Sequence, residues 1–123
     1  MRSMTSDKIT DHASACQYIE RSAVLGSRPG LSRIRRLCEI LGDPQDELKF
    51  IHIAGTNGKG STAAMISSIL TEAGLCTGMY TSPALTGITD HFRLNQEPVS
   101  DSDYDRCVST VAAANEKLIE ETG

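Results

Sequence analysis

The sequence predicts an α/β fold, a parallel sheet with flanking helices, on three observations made in order along its middle. Residues 48–54, LKFIHIA, form a short apolar run rich in Ile and Phe that stops at Gly55, which fits a strand buried in a parallel sheet. A glycine-rich turn, GTNGKGST, fills residues 55–62, and residues 61–73 then carry Ala63, Ala64, Ile66, Ile69 and Leu70 in helical register. Residues 76–81 make a second strand. Strand, glycine loop, helix and strand in this order form a βαβ unit, whose crossover is right-handed and whose strands are parallel.

The flanking elements follow from spacing and breakers. Residues 9–24 place Ile9, Ala13, Cys16, Ile19 and Ala23 at helical intervals and then meet GSRPG, so a first helix ends there. Leu31, Ile34, Leu37, Cys38 and Leu41 predict a second amphipathic helix stopped by Gly42 and Pro44, with Arg33, Arg35 and Arg36 on its solvated face. Gly74 ends the central helix as a left-handed cap. Residues 82–97 lack a sustained period and contain Pro83 and Gly87, predicting a long loop with a short extended piece at residues 92–95. SDSD from Ser100 has the spacing of a capping box, and Tyr104, Val108, Val111, Ala112, Leu118 and Ile119 carry a last helix.

Composition narrows the function. The 123 residues suit one domain with a modest core, and 39% hydrophobic, 23% charged and 4% aromatic residues exclude collagen-like and Pro-rich disordered chains. A net charge of -4 disfavours bulk attraction to nucleic acid or an anionic membrane, so any bound anion must be held locally. Cys16, Cys38, Cys76 and Cys107 form no CxxC pair and no zinc spacing, and read as solitary thiols of a reducing compartment. MRSMTSDKIT has no apolar signal core, Asp7 and Asp11 oppose a transit peptide, and no run reaches the roughly 20 apolar residues of a membrane helix. A cytoplasmic protein with neither nucleic-acid nor membrane partner is expected.

The turn at residues 55–62 sits where backbone N–H groups and the positive end of a helix dipole converge, a setting suited to phosphate. Gly55, Gly58 and Gly60 let the backbone turn and approach an anion, Lys59 supplies a point charge, and Ser61 or Thr62 offers a hydroxyl to magnesium. The strict G-x-x-x-x-G-K-[ST] pattern is broken twice, by Ile53 at the first glycine and by Gly60 after the lysine. The surrounding strand, helix, glycines, lysine and hydroxyls still favour a nucleotide-binding, P-loop NTPase-like architecture. His52, in the predicted strand, and His91, in the loop, read as structural histidines.

The run IHIAGTNGKGSTAAMISSILTEAGLCTGMYTSP resembles the N-terminal signature of folylpolyglutamate and dihydrofolate synthases, of the Mur ligase superfamily. The likeness extends back through RPGLSRIRRLCEILGDPQ and forward through FRLNQEPVS, covering residues 18–104; other Mur ligases lack the extra glycine at Gly60. The resemblance implies that residues 1–123 are the N-terminal part of an ATP-binding, Mur-ligase-type domain, without the C-terminal glutamate-binding domain. It also implies the reaction: ATP phosphorylates a carboxylate of folate or dihydropteroate, and glutamate's amine displaces the phosphate to form an amide.

By the same resemblance, Gly55, Thr56, Asn57, Gly58, Lys59, Gly60, Ser61 and Thr62 hold ATP. Lys59 neutralises the β and γ phosphates as the catalytic group, and Ser61 with Ser82 ligates Mg2+. Arg93 is the candidate for a substrate anion. The family's SPHL and ERIR-like stretches are altered here, with Ala84 in the histidine position and His91 in that of the first arginine. The implied partners are small molecules, namely ATP, glutamate and the folate or dihydropteroate, together with the missing C-terminal part of the same enzyme. The piece alone is expected to hold phosphate weakly, to turn over little, and to have a thin, marginal sheet. The alternatives are another Mur-type ligase acting on a cell-wall precursor and a non-catalytic nucleotide-binding fragment.

Overall fold

The computed structural model describes residues 8–24, 26, 29–84 and 86–122. Residues 1–7 of the opening segment, part of the GSRPG breaker and Gly123 therefore lie outside the described residues. The chain divides into two compact units, one of residues 1–49 with 102–123 and one of residues 50–101.

The first unit is helical: α1 (His12–Val24), α2 (Ser32–Ile40), a 3-10 turn at Pro44–Glu47, and α4 (Asp101–Thr122) from its second residue onward. The start of α1 is set by Asp11. Its carboxylate accepts the Ser14 N–H at 2.8 Å, and the Ser14 hydroxyl oxygen accepts the Asp11 N–H at 3.1 Å, a reciprocal cap that moves the helix start beyond Ile9. Gly42 ends α2 as expected. At φ +83° its N–H bonds the Glu39 carbonyl and the next N–H, of Asp43, bonds that of Cys38, the paired bonds of a Schellman motif.

This unit holds the apolar core. Tyr104, Val108 and Ala112 recur every fourth residue on α4 and are buried with Ala114, Leu118 and Ala15 of α1. Two polar contacts tie α1 to α4: His12 Nδ1 lies 2.6 Å from Asp105 Oδ1, and Asn115 Nδ2 donates to Tyr18 Oη at 3.1 Å. Arg36 of α2 forks onto Glu121 of α4 with two bonds of 2.8 Å.

The second unit contains an irregular segment at residues 50–58, α3 (Lys59–Glu72), β1 (Gly78–Tyr80), a 3-10 turn at Ile88–His91, β2 (Phe92–Leu94) and β3 (Glu97–Pro98). Gly74, at φ +86°, terminates α3 with the same paired bonds, its N–H to Thr71 O and the Leu75 N–H to Leu70 O. The three strands form one sheet in the order β1-β2-β3, antiparallel throughout, with Met79 opposite Arg93 and Leu94 opposite Glu97.

This corrects the expected parallel sheet. Residues 48–54 form no strand among the described residues, and Leu48, Phe50 and Ile51 are 62%, 70% and 61% exposed. A strand exists only through ladder bonds to a neighbour, and this apolar run pairs with none of the described strands. β1 pairs instead with the following hairpin. Asn95 and Gln96 form its two-residue turn at φ 48° and 76°, the positive pair that a right-twisted hairpin requires. Asn95 also reaches back: its Oδ1 accepts the Thr77 N–H at 2.9 Å and its N–H donates to the Thr77 carbonyl at 2.8 Å. α3 packs on β1, and the Thr71 and Thr77 hydroxyls lie 2.6 Å apart beside the buried Ser67.

Candidate functional site: the glycine loop

The site is built from the turn between residue 54 and α3. Gly58 is the N-cap of α3 at φ +76°, a left-handed conformation that side-chain-bearing residues adopt at a cost, and α3 begins at Lys59, two residues before the predicted Ser61. The Thr62 N–H bonds the Gly58 carbonyl at 2.9 Å. Among the described residues, the N–H groups of residues 56–61 take no acceptor. They are exposed and stand at the N-terminus of a helix of 14 residues. Unpaired donors there, added to the dipole, make a concentrated positive potential able to hold an anion.

Lys59 reinforces that potential. Its Nζ folds back over the loop and donates to the Gly55 carbonyl oxygen at 2.6 Å. An ammonium carries three donors, so two remain for another acceptor. Ser61 and Thr62 are exposed, with hydroxyls that make no hydrogen bond among the described residues. Gly55, Thr56, Asn57, Gly58, Lys59, Gly60, Ser61 and Thr62 are consecutive in this turn and the first turn of α3.

The remaining candidates stand elsewhere in the unit. Ser82 follows β1 at a cis Ser82–Pro83 peptide and is exposed. Arg93 lies in β2 and donates from Nη1 to the Gln96 carbonyl at 3.1 Å. No hydrogen bond or ion pair joins Ser82 or Arg93 to the glycine loop among the described residues. His91 is structural, as expected: its Nδ1 donates to the Thr81 carbonyl at 2.7 Å, the Thr81 N–H returns a bond to the His91 carbonyl, and its ring stacks on Tyr80 at 5.6 Å. His52 differs from the expected satisfied histidine, for it is exposed in the irregular segment, where no strand or core surrounds it. In the connection between β1 and β2, Asp90 accepts the Thr86 hydroxyl and N–H at 2.6 and 2.7 Å, which hold its carboxyl below the usual range.

Among the described residues no three His, Cys, Asp or Glu side chains gather to hold a metal ion. The side-chain oxygens within the loop and the first turn of α3 include the exposed Ser61 and Thr62 hydroxyls. The glycine-lined turn thus brings unpaired amides, a helix terminus and a lysine to one place, an arrangement chemically able to hold an anion ahead of a helix.

No family model matches the chain. The dihydrofolate synthase/folylpolyglutamate synthase of Bacillus subtilis (strain 168) is 37% identical over 109 residues, spanning 89% of this chain and 25% of the relative. The solved folylpolyglutamate synthetase from Lactobacillus casei superposes with a TM-score of 0.83 at 33% identity, over 92% of this chain and 28% of that one. A complex of folylpolyglutamate synthase with AMPPCP and folate superposes at 0.81 with 32% identity and the same coverage. The chain is a homologue of the folylpolyglutamate and dihydrofolate synthases, consistent with an N-terminal part of such a protein, and it spans about a quarter of their length.

Proposed function

We propose that the protein to which this chain contributes is an ATP-dependent ligase that adds glutamate to folate or dihydropteroate through an acyl phosphate. The chain supplies the N-terminal part of its ATP-binding domain. The observation that carries the reading is the glycine loop itself: unpaired N–H groups at residues 56–61 and the Lys59 ammonium converge at the start of α3. The relatives add weight, since one of the similar structures is a complex with AMPPCP and folate.

In this reading the amides of Asn57, Gly58 and Gly60 cradle the β and γ phosphates, with Gly55 and Thr56 shaping the turn. Lys59 keeps its Gly55 contact or exchanges it for a phosphate oxygen, placing positive charge where the transferred group gathers negative charge. Ser61 and Ser82 would hold Mg2+, with Thr62 as a secondary ligand, and bound magnesium supplies charge neutralisation of the phosphates. Arg93 offers its remaining N–H fork to a carboxylate of the folate or dihydropteroate. His91, with its Nδ1 committed to Thr81, has only Nε2 to offer and lacks an arginine's bidentate fork. Four free thiols support a reducing, cytoplasmic setting, and among the described residues no helix is long and apolar enough to cross a membrane.

Folate- or dihydropteroate-dependent release of ADP by the full-length protein, with glutamate incorporated into the product, tests the proposal. ADP release that depends on a cell-wall precursor would replace the substrate assignment. ATP binding without turnover on any of these acids would replace the ligase assignment with a binding role.

A further inference from the structure

The helical unit carries a second group of chemically capable side chains that the ligase reading leaves unused. His12 and Cys16 stand four residues apart on one face of α1, and Asp105 comes from α4. Cys16 Sγ lies 3.5 Å from His12 Nε2, and His12 Nδ1 lies 2.6 Å from Asp105 Oδ1. A carboxylate only accepts, so Nδ1 carries the proton and donates, which leaves Nε2 as the basic nitrogen facing the thiol. The three groups form a row, thiol to imidazole to carboxylate, and do not surround a common point as metal ligands do. The buried ring of Tyr104 stands edge-on to His12 at 5.8 Å and walls one side of the row, and burial pushes its hydroxyl pKa up.

We propose that Cys16 is a reactive modification site, its thiol activated by His12 and the imidazole positioned by Asp105, with a low-molecular-weight disulfide of the glutathione type as its co-reactant. His12 Nε2 takes the thiol proton, and the thiolate attacks one sulfur of the disulfide. A protein–reagent S–S bond forms as the reagent's own S–S bond breaks. The departing thiolate then receives the proton held on His12. Cys16 is oxidised and one half of the reagent is reduced, so no further oxidant is required.

Access and charge both fit. Cys16 is half-buried and the His12 side chain keeps 35% of its surface, so a small reagent reaches the sulfur while the imidazole stays fixed. Among the described residues the charged groups near the row are Asp11, which caps α1, Glu20 on α1 and Asp105 on α4. All three favour imidazolium and oppose a bare thiolate, and the 3.5 Å contact to His12 works against that opposition. Cys38, Cys76 and Cys107 have no hydrogen-bond partner among the described residues, although Cys76 and Cys107 are exposed.

The test follows each cysteine of the intact chain by peptide mass spectrometry, with iodoacetamide across pH 6 to 9 and, separately, with oxidised glutathione. Cys16 is expected to alkylate about tenfold faster than Cys76 at pH 6.5, with a midpoint below the ~8.5 of an ordinary thiol, and to be first to form the mixed disulfide. His12→Gln should bring Cys16 to the Cys76 rate, and Asp105→Asn should shift the Cys16 pH profile while leaving that of Cys76 in place. A Cys16 that reacts more slowly than Cys76 with an ordinary midpoint overturns the proposal. So does Cys16 reactivity unchanged in both variants. Should a variant unfold, revealed by a rise at half-buried Cys38, the native chain's own profile still decides.

Discussion

Lys59 Nζ donates to the Gly55 carbonyl oxygen at 2.6 Å, so the glycine loop is closed by the side chain of its own lysine. That contact holds the charge over the loop's unpaired amides before any ligand arrives. Positioning of this kind lowers the reorganisation needed when an anion binds or gains charge in a transition state.

Lys59→Ala in the full-length protein is expected to lower the rate of folate-dependent ADP release by roughly 10²- to 10³-fold, the scale at which removing one preorganised donor acts. Because Lys59 is exposed, its thermal unfolding should stay within about 0.5 kcal/mol of the parent. ADP release and a melting curve on the same preparation check both halves.

Gly58 and Gly60 separate backbone strain from close approach. A Cβ at either meets nothing within 4 Å, but Gly58 sits at φ +76° whereas Gly60 is an ordinary helical residue. Gly58→Ala should therefore destabilise the loop by about 1–2 kcal/mol. Gly60→Ala should leave stability unchanged or raise it by up to about 1 kcal/mol, while weakening nucleotide binding if phosphate approaches that backbone. Calorimetric ATP titration alongside unfolding distinguishes the two; equal ATP affinity for parent and Gly60→Ala would remove Gly60 from the cradle.

Asn95→Ala removes the acceptor for the Thr77 N–H and leaves Ala at φ 48°. The expected cost is about 1–3 kcal/mol from the lost bond and the left-handed strain together. Asn95→Gly keeps the turn and loses only the side-chain bond, so it should be milder. Faster hydrogen exchange at the Thr77 amide in both variants is the direct readout.

The Arg36–Glu121 fork predicts an acid limb of stability. Hydrogen bonds from Arg36 hold the Glu121 carboxyl below its usual range, while Arg36 is held above its own. A carboxyl depressed in the folded state contributes fully above its unfolded pKa of about 4.5 and loses that contribution as pH falls through the lower folded value. The melting temperature should thus fall more steeply below pH 4.5 in the parent than in Arg36→Ala, and added salt should narrow the difference, since both side chains are exposed.

The helices and the glycine loop were legible in the residues because their determinants are local. Gly42 and Gly74 end α2 and α3 through bonds within one turn, and the GTNGKGST turn needs only its own glycines and the helix beside it. Start positions are less exact: the Asp11–Ser14 cap starts α1 at His12, three residues later than apolar spacing suggests, and α3 opens at Lys59. The extended piece at residues 92–95 matches β2, but its hairpin turn is not marked in the residues because Asn95-Gln96 lacks the glycine typical of such turns, although asparagine tolerates the left-handed region.

What the sequence determined by itself was therefore which segments coil into helices, where they stop, and where the glycine turn precedes α3. Only the tertiary structure decided how strands pair and which distant side chains meet. An apolar run such as residues 48–54 reads the same whether or not a neighbour completes its ladder, and β1 found its partner in the hairpin at Phe92. The row from Cys16 through His12 to Asp105 likewise spans two helices far apart in the chain. Hydrogen bonding between such segments is a property of packing, which no local pattern encodes.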